Sequence, residues 1–378
     1  MWLNVTNECP VYYKNGRIYD NQMTNVEKIL HSKKLNYKDL KEISDPYFKD
    51  NNVETINIFI DLFDIFKQFY SPMLNEEFKT IRTPTKMNLI SELINIVGHY
   101  RHFFYSRYGK YTTIIMYYSS TKDKYLLSID PDYKKDFYNK RILTSKSECY
   151  IVNKVLHDCL SIVREYLSYI PHAYLIDTKG IEPSFLPYFI INGVITDSDL
   201  FNKISGKDYN IIMANNDLYL SDLIKNDNTI IFKNNGKDKY YLSRADIFDY
   251  LKLNEETSLP ESSLKKIFAL SGNKSYGIAN IKKMGLKKAY KHLEKVYKTD
   301  PTLSKIEDSL KEEDKERYLT NMKLISKEIY PLTDMDKLNI LNQFVDIIDL
   351  EFIKEETFNT FDASCVVMLD YLFDGEEA

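Results

Sequence analysis

Lys282, Lys283, Lys287, Lys288 and Lys291 fall in one stretch, 258–295, which reads SLPESSLKKIFALSGNKSYGIANIKKMGLKKAYKHLEK. Ammonium groups gathered near the start of a helix, beside its exposed amides, suit phosphate and not base edges. The spacing therefore points to sequence-independent contact with a nucleic-acid backbone. The competing reading is a solvated lysine-rich helix face. A second basic cluster, Lys134, Lys135, Lys140 and Arg141, is interleaved with aromatics in the segment PDYKKDFYNKR, the pattern of a single-strand stacking surface. Asp61 closes the short apolar run NIFI, and an acid at the carboxyl end of a buried strand sits where α/β sheets place functional groups. His157 stands next to Asp158, but nothing in the sequence sets a nucleophile beside them.

These side chains need elements to hold them. Leu264, Ile267 and Phe268 recur at helical spacing, a polar glycine-bearing turn follows over 271–277, and a second apolar stripe runs from Ile281 to Leu293. Two short helices around a glycine turn result. Upstream, apolar runs at 57–60, 111–117, 174–181, 209–213 and 229–232 read as strands, alternating with helical patterns at 87–108 and 152–169. That alternation predicts an α/β fold with a largely parallel sheet flanked by helices. A further amphipathic helix is expected at 26–34, in a polar N-terminal appendage.

The 378 residues carry a net charge of −4, which by itself disfavours a nucleic-acid partner. The charge is unevenly spread, however. From residue 331 onward twelve acids face two lysines, leaving about +6 on residues 1–330. A basic body with an acidic tail restores the nucleic-acid reading. Four scattered cysteines show no CxxC pair and no metal-ligand spacing, as expected in a reducing compartment. No apolar run approaches the ~20 residues that span a bilayer, and no signal peptide is evident. The expectation is a soluble cytoplasmic protein with no membrane partner.

Taken in order, the pieces resemble the 5′-nuclease (flap endonuclease) superfamily, in particular the short phage-type 5′-exonucleases, from about residue 56 to 333. The run 57–61 resembles the first strand with its metal-binding aspartate. The segment 131–141 is similar to "PEYKxNR", which leads into a helical arch. DTKGIEP at 177–183 resembles the start of "gyEADD", and NIIMANNDLYLSDL at 210–223 resembles "vvSgDkDllqL". The stretch 258–295 is similar to the family's helix-turn-helix. The resemblance implies a PIN/FEN-like α/β domain at 51–255 and a helix-turn-helix (helix-three-turn-helix) DNA-binding region at 256–335. The appendage at 1–50 and an acidic helical tail at 336–378 flank them.

The family hydrolyses phosphodiesters with two divalent ions, which repel each other and stay about 4 Å apart only if several carboxylates converge on them. Against that pattern this chain keeps Asp61, Glu182 and Asp217 as residual catalytic acids. Asn215 replaces one aspartate, Tyr117 or Tyr118 stands where the acid after the second strand belongs, and Asn273 and Tyr276 replace two acids of the turn. A tyrosine remains neutral near pH 7. Asp61, Glu182, Asp217 and the Asn215 amide would hold at most one weak, hydrated Mg²⁺ or Mn²⁺, and no other cofactor is expected. The leading expectation is a catalytically degenerate phage or viral 5′-nuclease-like protein. It would bind nucleic acid, or act as a scaffold, beside a partner protein in a replication or transcription assembly. An active Mg²⁺- or Mn²⁺-dependent nuclease and a pure protein-interaction module are the alternatives.

Overall fold

The computed structural model describes residues 55–62, 109–134, 170–198, 209–214, 228–234, 239–243, 247–253, 263–304 and 306–345. Separate positions at 12–19, 97–105, 160–168, 200 and 259–260 are described as well. Two two-residue strands, β1 (Tyr12–Tyr13) and β2 (Ile18–Tyr19), pair antiparallel. The main sheet contains β3 (Thr55–Asp61), β4 (Tyr111–Tyr118), β5 (Ala173–Asp177), β6 (Tyr209–Met213), β7 (Thr229–Asn234) and β8 (Lys239–Leu242). Its spatial order is β5-β4-β3-β6-β7-β8. The first five strands are parallel and β8 adds antiparallel to β7. The largely parallel α/β sheet expected from the alternating pattern is present.

Both faces of the sheet are buried, which is why its strands read as near-continuous apolar runs. On one face Tyr174, Ile115, Phe59, Ile212 and Ile231 line up across five strands in register. On the other lie Ile58, Ile60, Ile114, Met116 and Leu175, all buried. One turn below the first row runs a polar one: Thr113, Asn57, Asn210 and Thr229, in register and each at most 3% exposed. Asn57 Nδ2 donates to Asn210 Oδ1 at 3.1 Å. A slip of one residue would turn these amides toward the opposite face, so the row fixes the pairing of the two central strands. Asn57→Ala is expected to cost about 1–3 kcal/mol in urea unfolding, because a buried acceptor loses its donor. A change below measurement error would show that the row is energetically idle.

The helices are α1 (Lys124–Ile129), α2 (Leu186–Ile191), α3 (Ile247–Tyr250), α4 (Leu264–Ser271), α5 (Leu286–Thr299), α6 (Glu312–Ile325) and α7 (Asp334–Leu341). Leu264, Ile267 and Phe268 of α4, Ala289 and Leu293 of α5, and Leu324 of α6 join the sheet's first face in one continuous core. Three sequence expectations shift. The strand expected over 174–181 stops at Asp177, whose Oδ1 accepts the amides of Ser120 and Lys179 while Lys179 and Gly180 turn left-handed. The helix expected from Ile281 starts only at Leu286, because Lys283 is also left-handed at φ 61°. Strand β8 was not anticipated at all. At the end of the edge strand β5, the Gln343 side chain accepts the Asp177 amide and donates to its carbonyl, as a residue of a neighbouring strand would. The expected helix at 26–34 and the arch beyond residue 134 lie outside the described residues, and so does the tail beyond 345.

Candidate functional site

The helix pair around the glycine turn is tightly specified. Gly272 caps α4 at φ 66°, ψ −178°, a conformation open essentially to glycine alone. The chain then folds back, with Asn273 and Ile278 exchanging both backbone hydrogen bonds at 2.8 and 3.0 Å. The Asn273 side chain accepts the Tyr276 amide, and Gly277 turns left-handed. From α6, the fully buried Asn321 donates to the carbonyls of Ala269 and Ala279, each at 2.7 Å, and so ties the turn to α4. Helix α5 buries Ala289, Tyr290 and Leu293 on one side. Lys287, Lys288 and Lys291 are exposed on the helix, and Lys282 and Lys283 are exposed in the turn before it. Gly285 begins α5 without a side-chain cap, and no acid lies in its first turn. The positive end of the helix dipole is therefore left for an external anion.

A second centre adjoins this turn. Glu182, 1% exposed, caps a short 3-10 turn, Pro183–Phe185. Its Oε1 accepts from Lys134 Nζ at 2.6 Å and from the Ser184 hydroxyl and amide, and its Oε2 accepts from the Tyr133 hydroxyl at 3.1 Å. The Lys134 ammonium also lies 4.0 Å from the centre of the Tyr276 ring, and the Lys134 amide donates to the Tyr276 carbonyl at 2.8 Å. The turn thus touches the base of the segment 131–141. Beneath it, Asp123 Oδ2 accepts from the Glu182 amide and the Tyr330 hydroxyl, and Oδ1 caps α1 through Leu126. Burial raises the Asp123 carboxyl above its ordinary range, with the nearby Glu182 charge adding to the rise and the three donors opposing it.

Asp61 is the last residue of β3, buried, and in register with Tyr117. Register partners face the same side, so of the two tyrosines Tyr117 is the one that shares a face with Asp61. It is fully buried in the core. Tyr118 faces the other way and accepts from Arg164 Nη2 at 3.1 Å. Lys134, expected on the nucleic-acid surface, is 5% exposed and engaged with Glu182. Lys135, Lys140, Arg141, Asn215 and Asp217 lie outside the described residues.

A bacteriophage T5 protein crystallised with metal ions superimposes with a TM-score of 0.51 at 13% identity, covering 84% of this chain and 100% of that one. This chain shares the fold of that T5 protein. The T5 flap endonuclease in a pseudo-enzyme–product complex with DNA and metal ions is similar at a TM-score of 0.47 and 12% identity, over 86% of this chain and 100% of that one. The catalytic core of Rad2 in complex with a DNA substrate gives 0.42 and 11%, over 86% and 95%. No protein-family model and no curated protein matches the sequence.

On this scaffold the carboxylates can be tested for a paired metal centre. A carboxylate offers about two lone-pair directions on each oxygen; Glu182 Oε1 takes three donors and Oε2 takes one. Asp123 has three, and one oxygen of Asp177 already takes two amides. Among the described residues no three His, Cys, Asp or Glu side chains are grouped to hold an ion. The described acids therefore do not fit two divalent ions. The sequence reading missed Asp123 and Tyr330 altogether. Asp123 carried a usable signal, an aspartate directly ahead of an apolar helical run. Tyr330 carried none. Among the described residues no helix is long and apolar enough to cross a membrane.

Proposed function

We propose that this is a catalytically degenerate, phage or viral 5′-nuclease-like protein that binds nucleic acid through the turn and first half of α5. The observation that carries the reading is the set of five exposed lysines, Lys282, Lys283, Lys287, Lys288 and Lys291, around an uncapped helix start. Such groups bind by neutralising phosphates and releasing counterions, which needs no base contact. Duplex or branched DNA is the ligand class proposed, since its backbone presents phosphates without a demand on sequence. Glu182 paired with Lys134, and the neutral Tyr117, Asn273 and Tyr276, support binding without hydrolysis. The role is that of a nucleic-acid-binding or scaffold subunit in a replication or transcription assembly. Ile329, Met335 and Leu338, apolar side chains at least half exposed at the C-terminal end of the described chain, support a partner protein.

The test is a salt titration on flap and duplex DNA. Affinity should fall steeply with salt, and Lys287→Glu with Lys288→Glu should reduce the log–log slope by about two while weakening low-salt binding on the order of 10- to 100-fold. Incubation with Mg²⁺ or Mn²⁺ should leave the DNA intact. Binding that is absent at low salt, or indifferent to the double charge reversal, would remove the assignment. Metal-dependent trimming lost in Asp61→Ala would replace it with an active nuclease.

A further inference from the structure

We infer that the Lys134 ammonium is the resident cation of the Glu182 cluster, and that Glu182 is a structural carboxylate rather than a metal ligand. The inference rests on the degenerate reading above and says what takes the metals' place. Both partners are buried, at 5% and 1% exposure, and lie 2.6 Å apart. Two charges withdrawn from water in this way persist only if each is neutralised and hydrogen-bonded. Glu182 meets that demand through Lys134, Tyr133 and Ser184. Lys134 meets it through Glu182 and the face of Tyr276, a neutral ring suited to a cation.

Several segments are shaped for this lysine. Its backbone is left-handed, at φ 52°, which an unbranched side chain adopts only where its surroundings impose it. Its amide is held by the Tyr276 carbonyl. Gly277 leaves room for that approach: a Cβ there would lie 2.8 Å from both the Asp132 carbonyl oxygen and the Lys134 nitrogen. The Asp123 carboxylate holds the Glu182 amide from below. The charge of Glu182 itself is also accounted for. One ammonium requires one carboxylate, whereas two divalent ions require several. With Lys134 in place the Glu182 charge is matched, and the neighbouring Asp123 carboxyl, raised by burial and by Glu182, is held by three donors. The pair also fixes the base of the segment 131–141 to the lysine-bearing turn without any bound ion.

The experiment is thermal unfolding of the full chain as wild type, Glu182→Gln, Lys134→Met and the double variant, each in EDTA and in excess Mn²⁺. The wild-type midpoint should be the same in both buffers. Each single substitution should lower it, and the double variant should lose clearly less than the two losses added. A wild-type midpoint raised by Mn²⁺, with the rise abolished in Glu182→Gln, would make Glu182 a ligand and overturn the inference. Strictly additive losses would overturn it too. Should Lys134→Met fail to fold, the metal response of wild type and Glu182→Gln still decides. Failure here leaves salt-sensitive DNA binding untouched, so it can be told apart from failure of the proposed function.

Discussion

Gly272→Ala is expected to disrupt the turn that carries the lysines, at a cost of ~3 kcal/mol or more, the sum of a glycine-only backbone conformation and hard backbone overlap. An added Cβ would stand 2.5 Å from both the Asn280 nitrogen and the Ile278 oxygen, and 2.7 Å from the Ala279 carbonyl carbon. These are main-chain atoms, and the Asn273–Ile278 bridge together with Asn321 holds them where they are. No rotamer change can relieve the overlap. Urea unfolding should show a large fall in midpoint, and DNA affinity should fall with it, because Lys282 and Lys283 hang on the displaced loop. Gly285→Ala is the control. A Cβ at Gly285 meets nothing within 4 Å, so its loss should stay under ~1 kcal/mol, the ordinary difference between glycine and alanine at a helix start. Equal behaviour of the two variants would show that the turn is far softer than its geometry implies.

Glu182→Ala is expected to cost about 3–5 kcal/mol, the range found when one partner of a buried ion pair is removed. The loss exceeds that of a surface bridge because Lys134 cannot reach water without leaving the Tyr276 ring and the turn. The contrast within the protein is the ion pair between Arg317 and Asp130, 2.8 Å apart, whose arginine is 41% exposed. Arg317→Ala should cost no more than ~1 kcal/mol. Chemical denaturation of both variants checks the ordering. A Glu182→Ala loss no larger than that of Arg317→Ala would mean that water or a rearranged side chain takes over the lysine.

The sheet was legible because a parallel sheet covered on both sides leaves runs such as TINIFID and YTTIIMYY, which no surface helix produces. The lysine face was legible because α5 sets its charges opposite a regular apolar stripe. What stayed hidden depended on long-range pairing. Lys134 and Glu182 are 48 residues apart, and nothing in a basic, aromatic segment distinguishes the lysine that turns inward from those beside it. Only the register of β3 against β4 separates Tyr117 from Tyr118, since neighbouring residues on a strand face opposite ways. The late start of α5 rests on Lys283 in a left-handed turn, a position where sequence leads one to look for glycine.

The unbroken interior shared by the sheet and helices α4 to α6 has a bearing on how such a protein can be simplified. The lysine-bearing hairpin has no foundation of its own: Leu264, Ile267, Ala289 and Leu293 find their apolar surroundings in the same mass as Phe59 and Ile115. The helix pair therefore cannot be cut away from the sheet and keep its shape, because its apolar side rests on the same floor.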